Sequence, residues 1–212
     1  MKLNRIILCS VFLIPLNKKE NWQELKYSKI NPHVIEFAEA GMKIKVNSSA
    51  MPLIYPLSKV HQLKSISIAG EYKGKLNLNK KIKQGDKGND DSIFRFGLVV
   101  PGEKTLPFYK RPFAPGWIKK LFDLAPKDSG VDRIEFYNVY EDQRLKGQSR
   151  IHPLGNGLIN ENNIWDLSKA GKFKLAHKFE SPVPAAAIWI SIDGDDTKSE
   201  YEIWLNKIEL ME

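Results

Sequence analysis

A single cysteine, Cys9, stands in a chain of 212 residues. One thiol cannot build a disulfide framework or a cysteine-rich metal site. No Gly-x-Ser-x-Gly elbow, phosphate loop or dinucleotide fingerprint occurs, so the chemistries those motifs serve are excluded. Internal repeats and low-complexity tracts are missing as well. The formal net charge is +8, yet the cations are scattered, with short clusters only at Lys80-Lys81-Ile82-Lys83, Lys110-Arg111 and Lys119-Lys120. There is no basic helix and no nucleic-acid motif, so nucleic acid is not an expected partner.

The N-terminus carries what the rest lacks, an uninterrupted apolar run. Lys2 and Arg5 precede Ile6–Leu16, a stretch of eleven residues that is too short to span a bilayer comfortably. This is the layout of an export signal. Pro15-Leu16-Asn17 offers no small-x-small cleavage pattern, and Cys9 follows too short an apolar run to be a lipid-attachment site. The alternative is an uncleaved strand or anchor. Residues 1–21 are expected to be a signal peptide and leader, and 22–212 a single domain. Its location is then periplasmic or secreted, with no transmembrane span and no cysteine in the mature form. With 42% hydrophobic and 27% charged residues, that domain relies on its core alone.

The remainder is strand after strand with turn signals between. Met42, Ile44 and Val46 alternate with polar residues, and so do Ile66, Ile68, Gly70 and Tyr72. Met51–Leu57 holds two prolines and is expected at an edge or in an irregular segment. Lys75–Lys87 should be a surface loop. Ile93–Val100 is apolar on both faces, which marks a central strand. Arg95 then faces a partly covered layer, where a guanidinium needs a carboxylate partner. Helical spacing is confined to Gly116–Ala125, ended by Pro126. Ile134–Tyr140 and Phe173–Phe179 are further strands, and Gln143–Asn163 is a long polar stretch. The pattern predicts an all-β protein, an antiparallel jelly-roll-like β-sandwich with one short helix.

The sharpest local pattern lies at the C-terminal end. Ile188, Ile190 and Ile192 point one way, while Trp189, Ser191 and Asp193 point the other. Asp193-Gly194-Asp195-Asp196-Thr197 breaks the run, and Tyr201, Ile203 and Leu205 resume it, so a hairpin is expected. Ile208 and Leu210 fall on the opposite parity, which predicts a bulge near Asn206. Asp193, Asp195 and Asp196 supply oxygens of the kind calcium takes, but the spacing is not that of an EF-hand. The alternative is a solvated turn whose carboxylates cap backbone N–H groups. No other cofactor is expected.

Gly88-Asn89-Asp90-Asp91-Ser92-Ile93-Phe94-Arg95 resembles a Gly-Asp-Asp-x-x-x-Arg pattern, interrupted by Asn89. Ile192–Ser199 resembles an Asp-x-Asp-x-Thr turn before a last strand. Together, and in their order along the chain, they are similar to a bacterial family of exported proteins catalogued as a domain of unknown function. The resemblance implies an exported β-sandwich and transfers no activity.

Three constellations are candidates for a site. Asp90, Asp91 and Arg95, with Asp193, Asp195 and Asp196, form either an ion-pair network or a polar or metal site. Arg150, His152, Glu161 and His177 include the residue types of acid–base chemistry, with His152 and Glu161 the catalytic candidates. The aromatic set is Trp117, Trp165, Trp189, Trp204, Tyr109 and Tyr140. Trp189 and Trp204 share their faces with polar residues and are the expected groove-lining pair. The leading expectation is non-enzymatic binding at the cell envelope, with a glycan as the ligand. A polysaccharide lyase or hydrolase and a structural or assembly protein are the alternatives. A cleft lined by His152 and a carboxylate would favour the enzyme, and Trp189 or Trp204 on a concave sheet the binder.

Overall fold

The computed structural model describes residues 10–153 and 155–212. Eleven strands run in chain order as β1 (Val11–Leu13), β2 (Gln23–Glu24), β3 (Val34–Ala38), β4 (Gly41–Asn47), β5 (Leu53–Lys75), β6 (Arg95–Gly102), β7 (Gly130–Tyr140), β8 (Ser149–Ile151), β9 (Ile159–Asp166), β10 (Gly171–Ser191) and β11 (Glu200–Met211). One α-helix, α1 (Gly116–Phe122), lies between β6 and β7. The hydrogen-bonded order is β3-β4-β11-β5-β10-β6-β7-β9-β8, with β1 on β11 and β2 on β5.

Two unusually long strands turn this path into a sandwich. β5 has 23 residues and β10 has 21, several times the usual strand length. Their pairing slips between Lys178 and Val183 and again between Ala185 and Ala187. Irregularities of this kind bend a strand, and Pro182 and Pro184 sit in the bend. On one side of it, 65–75 of β5 pairs with β11 and with 171–178 of β10. On the other side, 187–190 of β10 pairs with the start of β5 and with β6. The main core forms between the two layers. Ile44, Ile68, Ile203 and Leu205 come from one, and Phe96, Leu98, Ile188 and Ile190 from the other.

The fold is an all-β, jelly-roll-like sandwich with one short helix, as the strand pattern predicts. β6 is buried on both faces. Phe96 and Leu98 enter the main core, while Val99 joins Ile134, Phe136, Trp189 and the helix residues Ile118 and Leu121 in a second cluster on the outer face. The predicted bulge is present, as the register of β11 against β5 shifts between Leu205 and Lys207.

Four local expectations are corrected. The C-terminal strands do not form a hairpin, because β5 lies between β10 and β11 in the sheet. The acidic turn is therefore an arch that carries the chain from one layer to the other. Met51–Leu57 is not an irregular edge: Leu53 onward is continuous strand, flanked by β10 and the two-residue β2. Gln143–Asn163 is not simply polar loop, because it holds β8 and most of β9. The sheet is not wholly antiparallel, because β9 pairs with β7 in parallel.

The second half of the expected leader is packed here. Val11–Leu13 pairs with Met211, Leu210 and Glu209. Ile14 and Leu16 are buried, and the Trp22 indole N–H donates to the Pro15 carbonyl at 2.8 Å. The first half, with Lys2, Arg5 and Cys9, lies outside the described residues. No helix among the described residues is long and apolar enough to cross a membrane.

Candidate ligand-binding cleft

The site forms where the start of β6, the end of β10, and β8 and β9 come together on the outer face of the second layer. Register brings the pieces into line. Arg95 lies opposite Ser191 on one side and Asn138 on the other, and Arg150 lies opposite Glu161. Gly97 faces Trp189, where an added Cβ would stand 2.8 Å from the Trp189 carbonyl oxygen and from Phe136, so only glycine fits this packing.

The 76–94 loop delivers the acidic pair. Asn89, which interrupts the Gly-Asp-Asp run, is buried and shapes that loop. Its Oδ1 accepts from the Asn79 N–H at 2.8 Å, and its Nδ2 donates to the Ile82 carbonyl at 3.0 Å. Asp91 turns away from the cleft and clamps the acidic arch, accepting from the Thr197 N–H at 2.7 Å and the Thr197 hydroxyl at 2.6 Å. In return, Asp196 accepts from the Asp90 N–H at 3.1 Å. His33 steadies the same arch from behind. Its Nε2 lies 2.7 Å from the Ile192 carbonyl and its Nδ1 lies 2.8 Å from the Ser49 hydroxyl. Burial lowers the His33 pKa and favours the neutral ring.

Arg95 is the hub. Its guanidinium donates to the Asp193 carboxylate and, at 2.5 Å, to the Asp90 carbonyl. The Glu161 carboxylate stands 3.5 Å from its Nε and the Asp90 carboxylate 3.8 Å from its Nη2. Burial works against this charge. Asp193, Glu161 and Asp90 nevertheless hold Arg95 more firmly protonated than an ordinary arginine. Arg150 closes the other side, donating to Glu161 at 2.5 Å, to the Gly85 carbonyl at 2.7 Å and to Asp90 at 3.2 Å. His152 Nε2 lies 3.4 Å from Asp90.

The two outward carboxylates differ in proton affinity. Burial pushes Asp193 up to about 7, against the pull of Arg95, and the Asp91 charge pushes the same way. Burial also acts on Asp90, but the His152 hydrogen bond and the charges of Arg95, His152 and Arg150 outweigh it, so its pKa falls below the ordinary value. Tyr27 is pushed up to about 12 by burial and by the charge of Asp193.

Asp90, Arg95, His152, Glu161, Asp193 and Tyr27 line a cleft of about 200 Å³. Asp90, His152, Glu161 and Asp193 line its polar side, and Tyr27, Trp117, Phe136 and Trp189 its apolar side. The cleft therefore unites three of the acidic-network residues, Asp90, Arg95 and Asp193, with His152, Glu161 and one of the two chosen tryptophans, while Arg150 reaches it only through Glu161 and Asp90.

The other candidates lie elsewhere. His177 packs against Tyr137 and Phe179, with ring centroids 5.2 and 5.1 Å away. Trp204 lies on the far layer beside Gly70 and Phe173. Trp165 is buried and donates to the Ala176 carbonyl at 3.0 Å. Asp193, Asp195 and Asp196 do not gather around one point: Asp193 faces Arg95, and Asp196 faces the Asp90 N–H. Among the described residues, no group of three His, Cys, Asp or Glu side chains is placed to hold a metal ion.

Two lining residues escape the sequence patterns. Tyr27 lies in no periodic segment and reaches the cleft because β2 anchors its neighbourhood to β5. Phe136 shows only as one member of an apolar strand face, with nothing local to mark it as a wall.

No family model and no curated protein matches this chain. Among solved structures, the chain is similar to a xylan-binding module, CBM15, at 8% sequence identity over 95% of each chain, with a TM-score of 0.37.

Proposed function

We propose that this protein binds a neutral glycan in the cleft, as an exported protein of the cell envelope. The observation that carries the proposal is that aromatic rings and carboxylates line the same cleft. A pyranose ring has C–H faces that pack on indole and phenol rings, and a rim of hydroxyls that donate to carboxylates. Tyr27 and Trp117, which are both partly exposed, supply the first surface over the buried Trp189, and Asp90 and Asp193 the second. Neutrality of the ligand follows from the cations. The donors of Arg95 and Arg150 are engaged by Asp90, Glu161, Asp193 and two backbone carbonyls. A uronate would find no uncommitted guanidinium and would face three carboxylates. At about 200 Å³ the cleft is smaller than a pocket for a drug-sized ligand, so it suits one sugar ring of a longer chain.

A second reading, a glycoside hydrolase, is favoured by one feature. The cleft holds His152 beside Asp90, together with a carboxyl of raised pKa at Asp193 and one of lowered pKa at Asp90. Carboxyl groups whose proton affinities are pushed apart are what acid–base assistance requires.

A glycan-array screen of the full chain, with calcium and again with chelator, tests the proposal. We expect neutral oligosaccharides to be retained in both conditions, and absence of any bound glycan would overturn it. Reducing-end release from a retained oligosaccharide would establish the second reading.

A further inference from the structure

A second surface stands apart from the cleft carboxylates, in the segment between β6 and β7. Phe108 is 86% exposed, Phe113 88% and Tyr109 61%, in a protein that buries most of its other aromatic rings. Rings this open are costly in water and mark a contact surface. They are not held loosely. Pro107, Pro112 and Pro115 restrict the backbone, and Lys110 N–H donates to the Pro107 carbonyl at 3.0 Å, Phe113 N–H to Lys110 at 3.2 Å and Ala114 N–H to Arg111 at 3.2 Å. The rings therefore stand on a tight double turn that is already ordered, so docking them costs little conformational entropy.

The segment around them is net basic. Residues 103–127 carry six Lys or Arg against Glu103 and Asp123. Asp123 is engaged by Arg111 at 2.5 Å, and Lys104 by Asp132 at 3.0 Å. Lys110, Lys119, Lys120 and Lys127 have no carboxylate partner within ion-pair distance among the described residues. Lys119 and Lys120 are half-buried on α1, where Lys119 donates to the Pro112 carbonyl at 3.3 Å and Lys120 to the Gln23 side chain, so their charges have no counter-charge. Exposed aromatic rings on a rigid tip, set among uncompensated lysines, fit a surface that offers an apolar layer beneath a sheet of negative charge.

We propose that the Leu106–Pro115 turn, with the lysines around it, docks the protein on an anionic lipid bilayer, with Phe108 and Phe113 inserted at the headgroup boundary. The turn runs directly into Trp117, a wall of the cleft, so docking would hold the cleft at the membrane surface.

Co-sedimentation of the full chain with phosphatidylglycerol–phosphatidylcholine vesicles and with pure phosphatidylcholine vesicles tests this, at low and high salt. We expect binding to the anionic vesicles that weakens with salt. The double variant Phe108→Ser/Phe113→Ser should lower the partition coefficient at least tenfold, and Lys110→Glu/Lys127→Glu should do the same at low salt. All four positions are exposed, so the melting temperature should stay within a few degrees, and that readout separates loss of docking from loss of fold. Equal partitioning of wild type and both variants would overturn the proposal, since any retention would then come from another part of the chain. Equal binding to neutral vesicles, or none to anionic ones, would overturn it too. If the double variant instead loses oligosaccharide affinity without any vesicle binding, the turn belongs to the cleft. The glycan array stands or falls independently of the vesicle result.

Discussion

Trp189 and Trp204 occupy similar local sequence settings and end in opposite surroundings. Each is a tryptophan on a strand that alternates with polar neighbours, Ser191 and Asp193 in one case and Glu202 and Asn206 in the other. Trp189 is only 3% exposed, and the helix α1, the 22–27 segment and the Arg95 network build a cleft over it. Trp204 stays half-buried on the other layer with Glu71, Lys172 and Phe173 as neighbours, and the nearby Lys43–Glu202 ion pair of 2.9 Å is partly exposed. The strand's own pattern does not decide which tryptophan becomes part of a site. What decides is what the rest of the chain stacks above it, and only the Trp189 face receives a helix, a loop and two arginines.

The largest effect should come from removing the hub of that face. Arg95→Met leaves Asp193, Glu161 and Asp90 without their shared cation in a buried setting. Breaking a buried pair in this way costs about 3–5 kcal/mol. Chemical denaturation should show that loss, whereas Lys43→Met on the Trp204 face should cost under about 1 kcal/mol, as exposed pairs do. Similar stabilities for the two variants would erase the distinction between the faces.

The next effect is a pH dependence on the cleft face. Asp193 has its folded-state pKa raised to about 7 from an ordinary 3.8. Between those values the folded state holds a proton that the unfolded state has released. The contribution of this group is therefore fully present below pH 3.8 and is lost as pH rises through 7. Relative to Asp193→Asn, the wild type should lose about 1 kcal/mol per pH unit between pH 5 and 7. Denaturation curves for both proteins across that range supply the slopes, and parallel slopes would place the Asp193 titration outside that window.

A smaller effect separates the two aromatic faces in binding. For an oligosaccharide found on the array, Trp117→Ala should weaken the dissociation constant roughly tenfold, the worth of one stacking contact. Trp204→Ala should leave it unchanged. Titration calorimetry reads both, and a loss at Trp204 would move the site to the other layer.

Much of this architecture is legible in the sequence because it is written in period two. The doubly apolar Ile93–Val100 stretch places Arg95 in a covered layer and obliges it to find carboxylates, and Asp90 and Asp193 are those partners. The change of parity after Leu205 announces the bulge. What alternation does not encode is which strand lies beside which. The hairpin expected at Asp193–Thr197 fails because β5, over a hundred residues earlier in the chain, pairs more extensively with both arms than they do with each other. For the same reason nothing along the chain ties Arg150, His152 and Glu161 to Asp90, about 60 to 70 residues away. The β6–β7, parallel β7–β9 and β8–β9 pairings together carry them to it. Tyr27 has no local signal at all.

The smallest expected effect is on the acidic arch, and it bears on what the cleft carboxylates are for. Asp91 and Asp196 are already engaged by backbone N–H groups of the arch and of the 76–94 loop, and Asp193 by Arg95 and the Ser92 N–H at 2.8 Å. A calcium shell takes six to eight oxygens, and each of these carboxylates would have to abandon a hydrogen bond to join one. Asp195 is the exception: among the described residues its side chain makes no hydrogen bond to those groups, and its pKa is raised chiefly by its own burial, with Asp91 adding to the shift. Adding calcium should therefore leave the melting temperature of the wild type unchanged, and Asp195→Asn should behave identically with and without the ion. A calcium-dependent rise in the wild type that the variant lacks would make the arch a metal site. The carboxylates beside Trp189 would then have to be reread as cation ligands instead of acceptors for sugar hydroxyls.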